Sequence, residues 1–186
     1  MALKAARAIV DKKGYNGLTA RRVAKEIGYT VGTLYLVFKN LDDLIVSLNT
    51  ETVTELRLHL EQASKLCKDP KAHIPVLAHA YIEYATRHPN SWRLAFEHRL
   101  PEGQPVPEAL REQTDALFTM VADLIRPHAA HLRDAEIGEI ATALWSGVHG
   151  ICILSLTDKL HLGSSASLQR LTDILIDNFL AGLQVS

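Results

Sequence analysis

Apolar residues recur every three to four positions along almost all of this 186-residue chain, and this spacing constrains its fold more than any other feature. Leu3, Ala6, Ile9 and Val10 open the pattern, and the stretch 168–183 ends it. No run of alternating apolar and polar residues is long enough to predict a β-strand. The sequence therefore predicts an all-α fold.

Capping residues and helix breakers divide this pattern into separate helices. Gly14 stands where the first helix would stop, whereas Thr19, Thr30 and Ser167 precede later helices as caps. Prolines and a glycine predict a loop at 100–107, and 163–166 is predicted to be a linker. The predicted helices are 2–13, 20–27, 31–38, a long helix from Asn40 or Leu41, 72–88, 91–98, 108–125, 134–157 with Asp134 as its cap, and 168–183.

Charge is distributed unevenly along the chain, although the net charge is only −1. Residues 1–50 carry eight Lys and Arg against four Asp and Glu, whereas the remainder carries twelve against seventeen. All nine histidines lie from His59 onward. This asymmetry predicts a basic head that meets a polyanion and an acidic body with a different task.

Two features indicate the compartment. The stretch 140–157 has no charged residue, but polar Thr142 and Ser146 and two glycines interrupt it. Because a spanning helix needs about 20 strongly apolar residues, we expect a helix buried in the protein or between two subunits. Cys67 and Cys152 are too few for a disulfide scaffold and predict reduced thiols in a cytosol.

The segment 18–44 predicts a helix-turn-helix, because two helices of about two turns are joined at Gly28. The second helix of this motif enters the major groove of DNA. The hydroxyl groups of Thr19 and Thr30, at the two helix starts, can bond phosphate oxygens. Gly32 lets the backbone approach DNA closely, and the Tyr35 hydroxyl can reach a phosphate. Thr33 can meet base edges, including a thymine methyl. The candidate DNA contacts are Thr19, Thr30, Val31, Gly32, Thr33, Tyr35, Leu36 and Lys39.

The alternative interpretation is a helical hairpin within a larger core, in which the two threonines serve only as caps. Resemblance favours the first interpretation. The run 14–38 resembles the DNA-binding domain of the tetracycline-repressor (TetR) family, and its most specific part is Gly32-Thr33-Leu34-Tyr35 followed by Phe38. The resemblance implies a three-helix helix-turn-helix domain at 1–45 and a bundle of five to six helices at 46–186.

The same resemblance implies a function. It indicates a homodimeric, DNA-associated repressor in the bacterial cytoplasm, which a small-molecule effector releases from a palindromic operator. Two positions depart from the family pattern, since Val37 stands where His or Tyr is usual and Leu41 where Lys is usual. Both usual residues contact phosphate in the family, and Lys39 is a candidate to replace one of them.

The acidic body carries a second short motif, Trp145-Ser-Gly-Val-His149-Gly150, which resembles the Trp-His-Gly subtype of the family's C-terminal domain. Trp145 and His149 are four residues apart and share a helix face. They would line a ligand pocket or meet a partner subunit. The alternative is a packed tryptophan and a core histidine bonded to a backbone carbonyl.

Aromatic and polar residues of the body are candidates for an effector pocket, although aromatic residues at helical spacing often only fill a core. The pocket candidates are Tyr81, Tyr84, Trp92, Phe96, Phe118, Met120, Trp145 and His149. The last two long helices would pair with their copies in a dimer, as the resemblance implies, because their faces are strongly apolar. The interface candidates are Gly147, Gly150, Leu171, Leu175 and Phe179.

Catalytic and metal-binding motifs are not found in the sequence. His128 and His131 have a spacing that can bring two imidazoles together, but Pro127 favours a surface loop there. No Gly-rich phosphate loop, His-Glu-x-x-His or nucleophile motif is present. We therefore expect no enzyme, no cofactor and no membrane association. The rival interpretation is a helical ligand-binding or metal-sensing bundle whose head does not bind DNA, and the sequence does not identify the effector or the operator.

Overall fold

The computed structural model describes residues 1–160 and 167–183, and the regular structure within them is helical throughout. The predicted all-α fold is confirmed, whereas the predicted linker 163–166 lies outside the described residues. Short 3₁₀ turns at Tyr15–Gly17, Pro70–Ala72 and Arg126–His128 join some of the helices. The helices are α1 Ala2–Lys13, α2 Ala20–Glu26, α3 Val31–Leu34, α4 Leu41–Leu66, α5 His73–Arg87, α6 Pro89–Glu97, α7 Glu108–Ile125, α8 Asp134–Leu156 and α9 Leu168–Leu183.

Three helix ends differ from the prediction. α3 ends at Leu34 instead of residue 38, because the chain continues in tighter turns: the Val37 amide donates to the Leu34 carbonyl at 3.1 Å. α6 begins at Pro89, since proline is well suited to the first position of a helix. Asp134 is the first residue of α8 and not its cap; the Glu136 carboxylate instead accepts from the Arg133 amide at 2.9 Å.

The chain forms two compact units. The first comprises Met1–Glu55 and His88–Gln113, so that α6 packs with the head helices. The second comprises Leu56–Arg87 and the chain from Thr114 onward. α4 and α7 each contribute residues to both units.

The core of the first unit forms where the apolar faces of its helices meet. α1 contributes Ala6, Ile9 and Val10, and α6 contributes Leu94. The other members come from α2, α3, α4 and their connections, namely Leu18, Val23, Leu34, Phe38, Leu44, Ile45 and Leu48. Burial of these side chains supplies the main stabilisation of the unit and fixes α3 against α4.

Polar contacts reinforce the first unit at its edges. Arg7 on α1 donates to Thr52 at 2.9 Å and also pairs with Glu51 on α4. His98, which follows α6 and has a nearly buried side chain, donates from Nε2 to Asp42 Oδ1 at 3.0 Å. This bond joins the end of α6 to the first turn of α4.

The second unit is built around α8, which packs against α5 and α9. A Cβ on Gly147 would lie 2.7 Å from Leu175 Cδ2, so α8 and α9 approach closely only because this position has no side chain. His79 on α5 donates to Asp173 on α9 at 2.7 Å. By length and composition alone α8 is also apolar enough to cross a membrane, a property that core helices of soluble proteins share.

Candidate nucleic-acid interface

The helix-turn-helix is held in shape by its own side chains. Thr19 Oγ1 accepts from the Arg22 amide and Thr30 Oγ1 from the Thr33 amide, both at 3.2 Å, so the two predicted caps are confirmed. Gly28 has a φ of 75°, which an L side chain rarely adopts, and this residue makes the turn between α2 and α3. The motif is therefore a locally specified turn between two capped helices.

The segment 31–38 has a buried side and an exposed side. Leu34 is 3% exposed and, with Phe38, belongs to the core of the first unit. Tyr35 is 42% exposed, Leu36 86% and Val37 75%. The burial of Leu34 and Phe38 thus turns the other three side chains towards solvent, as a DNA-reading element requires.

Gly32 lies on the exposed side of α3. A Cβ at this position would meet only Thr30 Oγ1, at 3.7 Å, which is an ordinary contact. Gly32 also has no positive φ. The packing and backbone of the head therefore give no reason for a glycine here.

The head also exposes positive charge. Arg21, Lys25 and Lys39 are exposed and form no ion pair with any residue that the structure describes. Arg22, by contrast, donates to the Gly17 carbonyl, and Arg7 pairs with glutamates of α4. Arg21, Lys25 and Lys39 are thus among the exposed cations that an anionic partner could meet.

The start of α4 explains how Lys39 is positioned. The Asp43 amide donates to Asn40 Oδ1 at 2.8 Å, and the Lys39 amide donates to Asp43 Oδ2 at 2.9 Å. This reciprocal pair fixes the chain just before Leu41. Leu41 itself is half-buried and packs on the core of the first unit, so a lysine there would have to give up that packing.

The second unit brings together four of the pocket candidates. The Trp145 ring stacks on His149 with 4.8 Å between centroids, and Phe118 meets Trp145 edge-on at 5.2 Å. Tyr81 Oη is hydrogen-bonded to His149 Nδ1 at 2.8 Å. His149 is thus half-buried and bonded to a tyrosine hydroxyl within an aromatic cluster.

Two of the remaining pocket candidates lie in the second unit and two in the first. Tyr84 is buried beside His59 with ring centroids 5.9 Å apart, and Met120 is half-buried on α7. Trp92 and Phe96 belong to the first unit, where their rings pack at 5.3 Å and Trp92 is fully buried. Those two rings contribute to the interior of the first unit.

The interface candidates on α8 and α9 have different environments. Gly147 faces Leu175 of its own chain, whereas a Cβ on Gly150 would meet nothing within 4 Å. Leu171, Leu175 and Phe179 are half-buried. Leu154 and Ile174 lie on the same two helices and are among the exposed large apolar residues, although neither is one of the five interface candidates.

Sequence reasoning missed other groups, because no local signal marks them. A cleft of about 270 Å³ in the first unit lies between the start of α4 and the loop after Leu100, and its wall includes Lys39, Asp42 and Pro105. Asp42 meets His98 across 56 positions of the chain. A pattern read along one sequence has no means of pairing such distant residues.

The described residues contain no group of three His, Cys, Asp or Glu side chains that would hold a metal ion. The two cysteines are free thiols. Burial raises the pKa of the Cys152 thiol to about 12, so this group stays protonated at neutral pH.

The chain matches two family descriptions. Residues 2–48 match "Bacterial regulatory proteins, tetR family", and residues 74–179 match "Tetracyclin repressor-like, C-terminal domain". An uncharacterized HTH-type transcriptional regulator of Mycobacterium tuberculosis is 26% identical over 148 residues, which are 80% of this chain. The match spans 65% of that relative's length.

Solved structures agree in fold. A protein of unknown function from Rhodococcus sp. RHA1 aligns with a TM-score of 0.79 at 22% identity, over 97% of this chain and 92% of that one. The regulator FadR from Bacillus subtilis, solved in complex with stearoyl-CoA, aligns with a TM-score of 0.73 at 14% identity, over 97% of both chains. With its capped helix-turn-helix, its all-helical body and both family matches, the chain belongs to the tetR family of bacterial regulatory proteins.

Proposed function

We propose that this protein is a transcriptional repressor that binds a palindromic operator as a homodimer and leaves it when a small-molecule effector binds. The observation that carries the proposal is the exposed side of segment 31–38, which a buried Leu34 and Phe38 aim at solvent in a head that also exposes Arg21, Lys25 and Lys39. Membership of the family supports regulation of transcription, and the bacterial cytoplasm is the location that we propose for it. No enzymatic activity is proposed.

In this account the head comprises residues 1–45, and residues 46–186 hold the effector and the dimer interface. Thr33 and Tyr35 contact bases and phosphates, Gly32 lets the backbone approach, and Lys39 supplies a phosphate contact. Thr19 and Thr30 stand at the helix starts, and Val31 and Leu36 complete the contact surface. Two heads reach successive major-groove faces of one operator, about 34–36 Å apart.

The effector site is proposed in the second unit, at the cluster of Phe118, Trp145, His149 and Tyr81. Two aromatic rings offer an apolar wall, and the Tyr81–His149 pair offers a polar group to orient a ligand. The structural neighbour from Bacillus subtilis was solved with stearoyl-CoA, so fatty acyl-CoA is the first effector class to test. Effector binding would shift the population between DNA-competent and DNA-incompetent forms.

The dimer interface is proposed on α8 and α9. Leu154 and Ile174 leave apolar surface exposed on these helices, and Gly150 has open space above it. Leu171, Leu175 and Phe179 would contribute their half-buried side chains to the same surface. Such a surface is better covered by a second copy than by water.

Selection of bound sequences from random duplex DNA tests the proposal. We expect enrichment of one sequence with two inverted half-sites whose centres are separated by about one helical turn. Adding an effector should release the enriched duplex. The alternative is a ligand-binding or metal-sensing bundle whose head does not bind DNA. It predicts that selection enriches no sequence and that any residual binding is equally weak for every duplex.

A further inference from the structure

The reading segment of the head has an unusual composition. From Gly28 to Phe38 the chain contains no Asp, Glu, Lys, Arg, His, Asn or Gln. The strongest base-specific hydrogen bonds in the major groove come from Arg or Lys to guanine and from Asn or Gln to adenine. This segment can therefore form neither of these bidentate pairs.

What the segment exposes instead is apolar. The Leu36 amide donates to the Thr33 carbonyl at 3.2 Å, so Leu36 lies one tight turn after Thr33, and Val37 follows it directly. Leu36 and Val37 are the most exposed members of this segment among the large apolar residues. No packing within the first unit requires either side chain, since both stand outside its core.

The two threonine hydroxyls near this side already interact with each other. Thr33 Oγ1 lies 3.0 Å from Thr30 Oγ1, which also accepts from the Thr33 amide. The capping interaction therefore holds the Thr33 hydroxyl towards the start of α3. An incoming molecule therefore meets the aliphatic side chains of Leu36 and Val37, the Tyr35 side chain and the open backbone at Gly32.

The flanking charge decides which kind of molecule fits this surface. The apolar pair lies in a head whose first 50 residues carry eight basic and four acidic side chains. The exposed cations Arg21, Lys25 and Lys39 favour a polyanion over an apolar protein partner. Duplex DNA presents one apolar group on its major-groove base edges, the C5-methyl group of thymine.

We propose that Leu36 and Val37 are specificity-determining residues that read thymine methyl groups in the operator half-site. The proposal rests on the proposed function, since it concerns the duplex that the head binds. Sequence selectivity then comes from apolar contact in place of bidentate hydrogen bonds. Each half-site holds at least one thymine whose methyl group packs against this pair.

Replacement of thymine by uracil tests the proposal, because uracil keeps the base pairing and every hydrogen-bonding group and lacks only the methyl group. Each thymine of the selected duplex is replaced in turn, and binding of the full-length protein is measured by fluorescence anisotropy. At one or two thymines in each half-site we expect affinity to fall about fourfold, the effect of removing one methyl group from an apolar contact.

A double-mutant cycle, which combines the uracil replacement with a protein variant, shows which residue contacts the thymine methyl group. For Leu36→Ala or Val37→Ala, the uracil replacement at the sensitive position should change affinity by less than about 1.5-fold, because the methyl group has lost its partner. Leu66→Ala is the matched control, since Leu66 is a 74% exposed leucine at the end of α4. It should keep the full uracil penalty.

Three results would overturn the proposal while leaving the proposed function intact. They are a selected half-site without thymine, selective binding that no uracil replacement weakens, and a uracil penalty that persists in both alanine variants. Absence of any preferred duplex would overturn the proposed function itself, and the methyl-reading proposal with it. The two failures are thus distinguished by whether selection enriches a sequence.

Discussion

Gly32 and Gly28 are four residues apart, and the structure gives them opposite roles. Gly28 is needed by the fold, because its φ of 75° strains any L side chain. Gly32 has an ordinary helical backbone and open space around the position of its absent Cβ. A glycine that the fold does not need, on the side that faces solvent, is best explained by what binds there.

Gly32→Ala should therefore separate stability from DNA binding. The free energy of unfolding should stay the same or rise by up to about 1 kcal/mol, because alanine favours a helix. Affinity for the selected duplex should fall at least about tenfold. Thermal unfolding and anisotropy measure the two effects.

Gly28→Ala is the matched comparison. It should cost about 1–2 kcal/mol of stability, because alanine at a positive φ is strained. Full DNA affinity in a folded Gly32→Ala variant would show that no molecule approaches closely at this glycine.

The buried thiol on α8 gives a second prediction at this scale. Cys152 is buried and its pKa is raised to about 12, whereas Cys67 is half-buried. A thiol reagent at pH 8 should modify Cys67 in the native protein and Cys152 only after unfolding, because the thiolate is the reactive form.

The raised pKa of Cys152 also makes the free energy of unfolding depend on pH. A Cys152 thiol in the unfolded chain ionises near the ordinary value of 9.0, whereas the folded thiol stays neutral up to about 12. The folded state therefore binds more protons between these pH values, and its stability should decline as pH rises from about 9 to about 12.

In the thiol-reagent experiment, equal reaction rates of Cys67 and Cys152 in the native protein would contradict the burial of Cys152.

At the scale of helices, the existence of each element could be predicted from the sequence, because apolar period and caps are local signals. Thr19, Thr30 and Ser167 all cap the helices expected of them. The predicted end of α3 was wrong by four residues and the predicted start of α6 by two. Tight turns shorten α3, and the proline at the start of α6 extends it, without any change in the spacing of apolar residues.

The pairing of helices could not be predicted in the same way. Tyr81 meets His149 across 68 positions, and Gly147 meets Leu175 across two helices. Nothing in a single sequence indicates which apolar faces pack together. The candidate DNA surface was more accessible to sequence reasoning, because its buried and exposed sides alternate within one short helix.

α3 itself provides a paired prediction. Leu34→Ala should cost about 2–5 kcal/mol of stability, because it removes a buried side chain from the core of the first unit. Tyr35→Phe should leave the unfolding midpoint unchanged and weaken DNA binding, since it removes an exposed hydroxyl. Unchanged affinity of Tyr35→Phe at physiological salt would remove this hydroxyl from the contact surface.

At the scale of the whole molecule, the proposed function has two copies of the chain act together on one operator. One head alone covers a single half-site, and the affinity for a palindrome comes from two heads at a fixed spacing. The apolar surface left on α8 and α9 is where we propose that the copies meet. The Gly147 contact shows that part of this surface is already used within one chain.

Ile174→Glu tests this assembly better than a change at Leu175, whose side chain packs against Gly147 of its own chain. Ile174 is 50% exposed, so the charge should leave the monomer folded and prevent dimers. Sedimentation should show monomers at micromolar concentration, and operator affinity should fall. Val106→Glu, in the loop before α7, is the control and should stay dimeric. A wild-type protein that is monomeric and still binds its operator would contradict the proposed interface.

The central claim is that this head recognises a DNA sequence. The most direct measurement compares the dissociation constants of the wild-type protein for its selected duplex and for a scrambled duplex, over a series of salt concentrations. The account predicts at least about 10³-fold preference for the selected duplex at physiological salt, with affinity for both falling as salt rises. Equal affinity for the two duplexes at every salt concentration would contradict it.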